Sequence, residues 1–296
     1  MKGIITGIKR LAVHDGDGLR TTVFFKGCPL RCIWCHNPET YSFKSEIAFY
    51  KNKCIGCLSC VSECTSGALD EIGFDKNRCI SCYKCIEACP TAARVLLGEE
   101  YEARDLAEKI LEDREFFKNG NGGVTLSGGE CLMQIDFAEE LAKIFFEQEI
   151  SVDVDTCGYV KREHLDRIIP YTDVFLYDLK AIDNDVHIAC TSKGNELILD
   201  NLRYLSEKGC KIEIRYPLVK GYNEGECEKI GSFLKDLKGI TKVKVLKYHS
   251  FAAPKYEALN IKNTMPNTVT APQDVENAVK ILSSFGLNAI NGAKEG

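Results

Sequence analysis

The sequence predicts an α/β fold built on a parallel sheet, with a small metal-held segment set into it. Three observations carry this reading. Six runs rich in β-branched and aromatic residues recur along the chain, helical periodicities separate them, and residues 48–98 interrupt the pattern with dense cysteine. Strands alternating with helices imply repeated βα units and a parallel sheet. Periodicity alone leaves a doubly wound sheet and a barrel both open. In either, functional groups gather where strands end and loops begin.

In chain order, the first strand is Thr21–Lys26, from "TTVFFK". The interruption follows, bounded by Lys51–Lys53 and by Gly98–Glu102, and short of long apolar periodicities. A segment of this texture is held by its metal rather than by a hydrophobic core, so the chain divides into 1–47 plus 99–296 and an inserted 48–98. Leu106, Ile110 and Phe117 then form a helical stripe, followed by the strand Gly123–Ser127. A second stripe is Phe137, Leu141, Ile144 and Phe145, leading to the strand Ser151–Thr156. The strand Asp173–Lys180 precedes the stripe Ile198, Leu202 and Leu205. The strand Lys211–Val219 precedes Ile230, Phe233, Leu234 and Leu237, and Lys242–His249 is the last strand.

The 296 residues are 45% hydrophobic and 27% charged, an ordinary globular composition. A net charge of −5 argues against nucleic-acid binding as the main task. No apolar run approaches the roughly 20 residues that span a bilayer, and the start "MKGIITGIKRLAVHDGDG" lacks the apolar core of a signal peptide. The expectation is a cytoplasmic protein. Sixteen cysteines in a reducing compartment point to metal or redox chemistry rather than disulfides. Five of them (Cys131, Cys157, Cys190, Cys210 and Cys227) are scattered and suit small apolar positions in or near the core.

The segment 48–98 contains a repeat. "CIGCLSCVSEC" and "CISCYKCIEAC" start 25 residues apart and share the spacing C-x₂-C-x₂-C-x₃-C, that of bacterial ferredoxins with [4Fe–4S] clusters. In that arrangement the fourth cysteine of each run reaches the other cluster. The expected sets are Cys54, Cys57, Cys60 and Cys89, and Cys79, Cys82, Cys85 and Cys64. A pair of structural zinc sites is the plainer alternative. Pro90 follows Cys89 as the pattern asks, whereas Thr65 follows Cys64.

"GCPLRCIWCHN" holds Cys28, Cys32 and Cys35 in C-x₃-C-x₂-C spacing directly after a strand, with no fourth cysteine nearby. Three thiolates on a four-iron cluster leave one iron open, and an open coordination position is how a metal site admits a substrate. His36 adjoins Cys35 too closely to serve comfortably as a fourth ligand, and a packing or hydrogen-bonding role suits it better.

With Trp34 before the last cysteine, the motif resembles that of the radical S-adenosylmethionine superfamily. The longer stretch "DGDGLRTTVFFKGCPLRCIWCHNPET" resembles the glycyl radical enzyme activating enzymes within it. The resemblance implies a partial (β/α)₆ barrel with a ferredoxin-like insertion and three [4Fe–4S] clusters in all. It implies that S-adenosylmethionine binds the open iron and is reductively cleaved, and that the resulting radical takes a hydrogen atom from a backbone glycine of a partner glycyl radical enzyme. "GGVTLSGGE" supplies Gly128, Gly129 and Glu130 for the methionine amino group, and "DVDTCGY" supplies Asp155 and Thr156, near which some members bind a monovalent cation. Asp178 and Lys180, Arg215, and His249, each at the end of a predicted strand, match further positions of that pocket. Asp15 matches the loop that faces the partner's glycine. Flavodoxin or ferredoxin is the implied electron donor, and the chain is expected to be a monomer. Against these stand a radical enzyme acting on a small molecule or another peptide, and a simple ferredoxin-type electron carrier. For Asp178, Lys180 and Arg215 the plain alternative is structural ion pairing.

Overall fold

All six expected strands are present in the computed structural model, which describes residues 1–70 and 73–292. The divisions 48–98 and 99–296 include residues 71–72 and 293–296, which lie outside the described residues. In chain order the strands are β1 (Lys2–Ala12), β2 (Arg20–Phe25), β3 (Glu46–Phe49), β4 (Arg94–Leu97), β5 (Glu99–Glu102), β6 (Gly123–Gly128), β7 (Ser151–Thr156), β8 (Val174–Asp178), β9 (Ile212–Leu218), β10 (Ile240–Lys247) and β11 (Ala289–Asn291). The helices are α1 (Ser59–Ser62), α2 (Lys84–Glu87), α3 (Ala103–Leu111), α4 (Arg114–Asn119), α5 (Ile135–Glu147), α6 (Arg162–Ile168), α7 (Asn184–Thr191), α8 (Glu196–Glu207), α9 (Cys227–Leu234), α10 (Ala253–Ala258) and α11 (Pro272–Ser284).

The main sheet runs β11-β10-β9-β8-β7-β6-β2-β1-β5. From β2 through β6 to β11 every neighbouring pair is parallel. Their spatial order follows the sequence without reversal, so the sheet is wound in one direction. A doubly wound sheet would reverse at a switch point. β1 and β5 extend it antiparallel on one side, and the sheet stays open between β5 and β11. This is the central parallel sheet of a partial barrel.

Right-handed crossovers put the connecting helices on one face, where α3 packs on α5, α5 on α6 and α9 on α11. Side chains alternate along each strand accordingly. Val152 and Val154, Ile212 and Ile214, and Val243 and Val245 enter the apolar core beneath the helices. Their neighbours Asp153, Glu213, Arg215 and Lys244 are buried as well, yet polar. A parallel sheet covered on both sides is ordinarily apolar on both. The inner face here is a charged bore, with Arg20 3.3 Å from Asp153 and Lys244 3.3 Å from Glu213.

Two stripes depart from the predicted elements. The stripe Leu106, Ile110 and Phe117 spans two helices, α3 and α4, because the buried Asp113 breaks it while accepting hydrogen bonds from Thr21 and Arg10. Leu237 lies beyond the end of α9 at Leu234. β3 and β4 pair antiparallel, Glu46 opposite Leu97, and close the cysteine-rich segment at its base.

Candidate active site

The ends of the parallel strands converge on one cavity of ≈ 220 Å³. Cys28, Cys32 and Cys35 line it from the loop after β2; Gly128 and Gly129 from the end of β6; Asp155, Thr156 and Cys157 from β7; and Asp178 and Lys180 from β8. Trp34 joins them. The long separations in sequence are bridged because every contribution sits at the same end of the sheet.

The cysteine loop has little regular structure of its own, so its shape is imposed by neighbours. Arg31 and Ile33 donate their N–H groups to the carbonyls of Thr191 and Cys190 at the end of α7, both at 2.9 Å. The hydroxyls of Tyr41 and Tyr256 donate to the carbonyls of Cys32 and Cys35, at 3.2 and 3.0 Å. Trp34 is buried among Cys190, Val219 and Tyr248. None of these supports follows a local sequence signal.

Burial pushes the Cys35 thiol up to about 11 and raises that of Cys32 as well. Cys28 is lowered instead, first because the Cys157 thiol donates to it. Thiols buried this deeply ionise when a hydrogen-bond donor, a cation or a metal faces them. Among the described residues no three His, Cys, Asp or Glu side chains converge as a single metal ion would require. Three sulfurs facing a common cavity suit a larger cluster.

Gly128 and Gly129 are glycine for a steric reason. A Cβ on Gly128 would lie 2.1 Å from the nitrogen of Phe25, and one on Gly129 would lie 2.4 Å from the carbonyl oxygen of Gly27. The backbone there is pressed against the start of the cysteine loop and remains open to the cavity. Glu130 does not line the cavity. Its fully buried carboxylate accepts from the Thr156 hydroxyl at 2.9 Å, the Cys157 N–H at 2.8 Å and the Leu132 N–H at 3.2 Å, tying the end of β6 to that of β7.

Asp155 accepts from Ser127 at 2.6 Å, and burial raises it to about 7 despite the opposing pull of Arg215. Lys180 stands 2.6 Å from Asp178; burial disfavours its charge, but Asp178 and Cys32 outweigh that and the ammonium is held firmly. Arg215 lies behind Asp155 at 3.5 Å, off the cavity wall, and donates to the carbonyl of His14 at 2.9 Å. Asp15 sits in the bore 3.8 Å from Arg215, accepting from the Thr22 hydroxyl. His249 is exposed, stacked 4.2 Å from His36, whose Nε2 meets its carbonyl at 2.9 Å. Sequence reasoning did not single out Ser127, Cys157 or Lys247 for the cavity wall, nor the tyrosines that hold the loop.

In the cysteine-rich segment, a cavity of ≈ 590 Å³ is lined by Cys54, Cys57, Cys60 and Cys89, and a small one of ≈ 20 Å³ by Cys64, Cys79, Cys82 and Cys85. The repeat is visible in the backbone: Gly56 and Ser81, Leu58 and Tyr83, and Gly67 and Ala92 are 25-residue pairs with positive φ. Most of these are not glycine, a strained choice for ordinary side chains. The conformation aims N–H groups at sulfur, from Gly56 to Cys54 and from Ser81 to Cys79, each at 3.5 Å. Cys89 is lowered to about 7: burial opposes this, but the N–H groups of Arg94, Thr91 and Ala93 prevail.

The sequence profile of the radical SAM superfamily matches residues 22–234. The chain is 41% identical to the trans-4-hydroxy-L-proline dehydratase activating enzyme of Clostridioides difficile, over 88% of each chain. It is 39% identical to the choline trimethylamine-lyase activating enzyme of Oleidesulfovibrio alaskensis, over 87% of each. A crystal structure of a domain of pyruvate-formate lyase-activating enzyme from Bacteroides vulgatus superposes with a TM-score of 0.50 at 29% identity, covering 57% of this chain and 98% of that one.

Proposed function

Because this chain belongs to the radical SAM superfamily, and within it to the glycyl radical enzyme activating enzymes, we propose a residue-level account of how it activates a partner. It is an activase whose protein substrate is a glycyl radical enzyme. A [4Fe–4S] cluster, when bound, supplies the electron that cleaves S-adenosylmethionine to methionine and the 5′-deoxyadenosyl group that takes the glycine hydrogen atom.

Cys28, Cys32 and Cys35 would hold that cluster, with three thiolates for four irons, and the cavity beside them would take the methionine end of S-adenosylmethionine. The single observation that carries this is their convergence with Gly128, Gly129, Asp178 and Lys180 on one cavity. Gly128 and Gly129 offer backbone groups to the amino end, and the Lys180 ammonium, kept charged by Asp178, suits the carboxylate. Trp34 packs the loop. Glu130 and Thr156 orient the strand ends, and Arg215 partly offsets the burial of Asp155 and steadies the Asp15 loop. His249 caps the entrance beside His36. The surroundings leave little need for a monovalent cation at Asp155 and Thr156: Arg215 already faces that carboxylate, and Thr156 gives its hydroxyl to Glu130.

Residues 48–98 are a ferredoxin-like domain with two further clusters, on Cys54, Cys57, Cys60 and Cys89, and on Cys64, Cys79, Cys82 and Cys85. The two four-cysteine cavities and the N–H groups turned toward sulfur support this, since such hydrogen bonds stabilise cluster thiolates. A flavodoxin or ferredoxin delivers the electrons, and the chain acts as a cytoplasmic monomer. Among the described residues no helix is long and apolar enough to cross a membrane.

Anaerobically reconstituted, reduced protein is expected to release 5′-deoxyadenosine, and Cys32→Ala to release none. Mixed with a trans-4-hydroxy-L-proline dehydratase or a choline trimethylamine-lyase, the native protein should generate a glycyl radical doublet in EPR with its cognate partner. Deoxyadenosine without a doublet on any glycyl radical enzyme tested would count against the protein substrate.

A further inference from the structure

The two cavities of the cysteine-rich segment are placed unequally with respect to the three-cysteine loop. The larger, with Cys54, Cys57, Cys60 and Cys89, is lined partly by Ala258, Leu259 and Asn260 at the end of α10. The smaller is walled by the segment and β3 alone. α10 also reaches the loop. Its buried Tyr256 donates to the Cys35 carbonyl at 3.0 Å and lies 3.4 Å, hydroxyl to hydroxyl, from Tyr41, which donates to the Cys32 carbonyl. Lys255 donates to the His36 carbonyl at 3.0 Å. Two positions past Tyr256, Ala258 and then Leu259 form a small apolar core with Ala48 of β3, flanked by Val95 and Leu97 of β4. Three helical residues rise only about 4.5 Å, so the Tyr256 side chain and one turn of α10 lead from the backbone of the loop to the wall of the larger cavity.

We propose that α10, with Tyr256 and Tyr41 as positioning residues, is the contact across which the Cys54–Cys57–Cys60–Cys89 site passes its electron to the Cys28–Cys32–Cys35 site, the Cys64–Cys79–Cys82–Cys85 site lying upstream. This rests on the reading that each site holds a [4Fe–4S] cluster. One electron moves: the donating cluster goes from the 1+ to the 2+ state while the accepting one goes from 2+ to 1+. The electron enters the outer site from a low-potential one-electron carrier protein. Both tyrosine hydroxyls end on carbonyls of the loop cysteines, so the route is hydrogen-bonded at the loop end, and Ala258 and Leu259 pack it against β3 and β4 at the other.

The test compares the fully loaded protein with three variants. In reduced samples, spin–spin broadening of the radical-site EPR signal is expected to survive Cys82→Ala and to vanish in Cys57→Ala; the opposite pattern overturns the order. Tyr256→Phe keeps the ring and removes only the hydroxyl. By freeze-quench EPR, it should slow reduction of the radical site by a reduced ferredoxin several-fold. Because Tyr256 also supports the loop, rates are compared at equal iron content, and reduction by dithionite is the control: a slowing with ferredoxin but not with dithionite is expected, and an equal slowing with both overturns the bridging role. Equal rates with ferredoxin in Tyr256→Phe and native protein overturn the bridging role. Iron content separates the two readings: about twelve irons per chain with reversed broadening sinks the order alone, whereas about four irons sinks the insertion clusters with it.

Discussion

Glu130 shares its carboxylate among the Thr156 hydroxyl and the N–H groups of Cys157 and Leu132, all buried. Glu130→Ala strands these donors, each costing about 1–3 kcal/mol, so a drop of many degrees in Tm is expected by calorimetry, with Glu130→Gln milder. Cys157 donates toward Cys28 from the same strand end. Hydrogen bonds to ligand sulfur raise cluster potentials by stabilising the reduced, more negative state. Cys157→Ala should therefore lower the midpoint potential of the radical-site cluster in an EPR-monitored titration, and Cys157→Ser should restore part of it. Asp153 is raised from 3.8 to about 7 by burial, which prevails over Arg20 at 3.3 Å. A carboxyl whose pKa is higher folded than unfolded binds more protons when folded, so its contribution falls as pH rises from about 4 to about 7. Asp153→Asn should flatten that part of the stability profile, measured by denaturant unfolding across the range.

At the scale of elements, the strand-end glycines act as a hinge-pin between β2 and β6. Gly129→Ala would drive a Cβ to 2.4 Å from the Gly27 carbonyl oxygen, displacing the start of the cysteine loop. Iron incorporation at that site should fall with little change in overall helix and sheet content by circular dichroism. Six of the seven parallel strands, all but the three-residue β11, were legible because their β-branched runs alternate with polar residues, as in "SVDVDT" and "IEIRYPL". β1 was not, since its glycines and lysines in "KGIITGIKRLA" mask an antiparallel strand that only β2 and β5 complete. The grouping of the cysteines around three cavities could be read from spacing, which is local. The supports of the loop could not: α7 offers carbonyls, which carry no sequence signal, and Tyr256 comes from more than 200 residues away.

For the molecule as a whole, two kinds of stabilisation coexist in one chain. The barrel buries a continuous apolar core beneath its helices, whereas the described part of the cysteine-rich segment buries few large side chains, chiefly Leu69 with small alanines. With the clusters proposed for the segment, removing iron should therefore loosen it and spare the barrel. Limited proteolysis of chelated protein is expected to cut between residues 51 and 92, leaving the flanking fragments protected, while loaded protein resists. The sheet's two open edges carry a different consequence, for behaviour in concentrated solution. The outer edge strand β5 reads "EEYE" and is largely exposed. Two molecules meeting edge to edge there would bring Glu99, Glu100 and Glu102 against their own copies, and like charges across a strand pair repel. The β5 edge is thus guarded against pairing with its own copy.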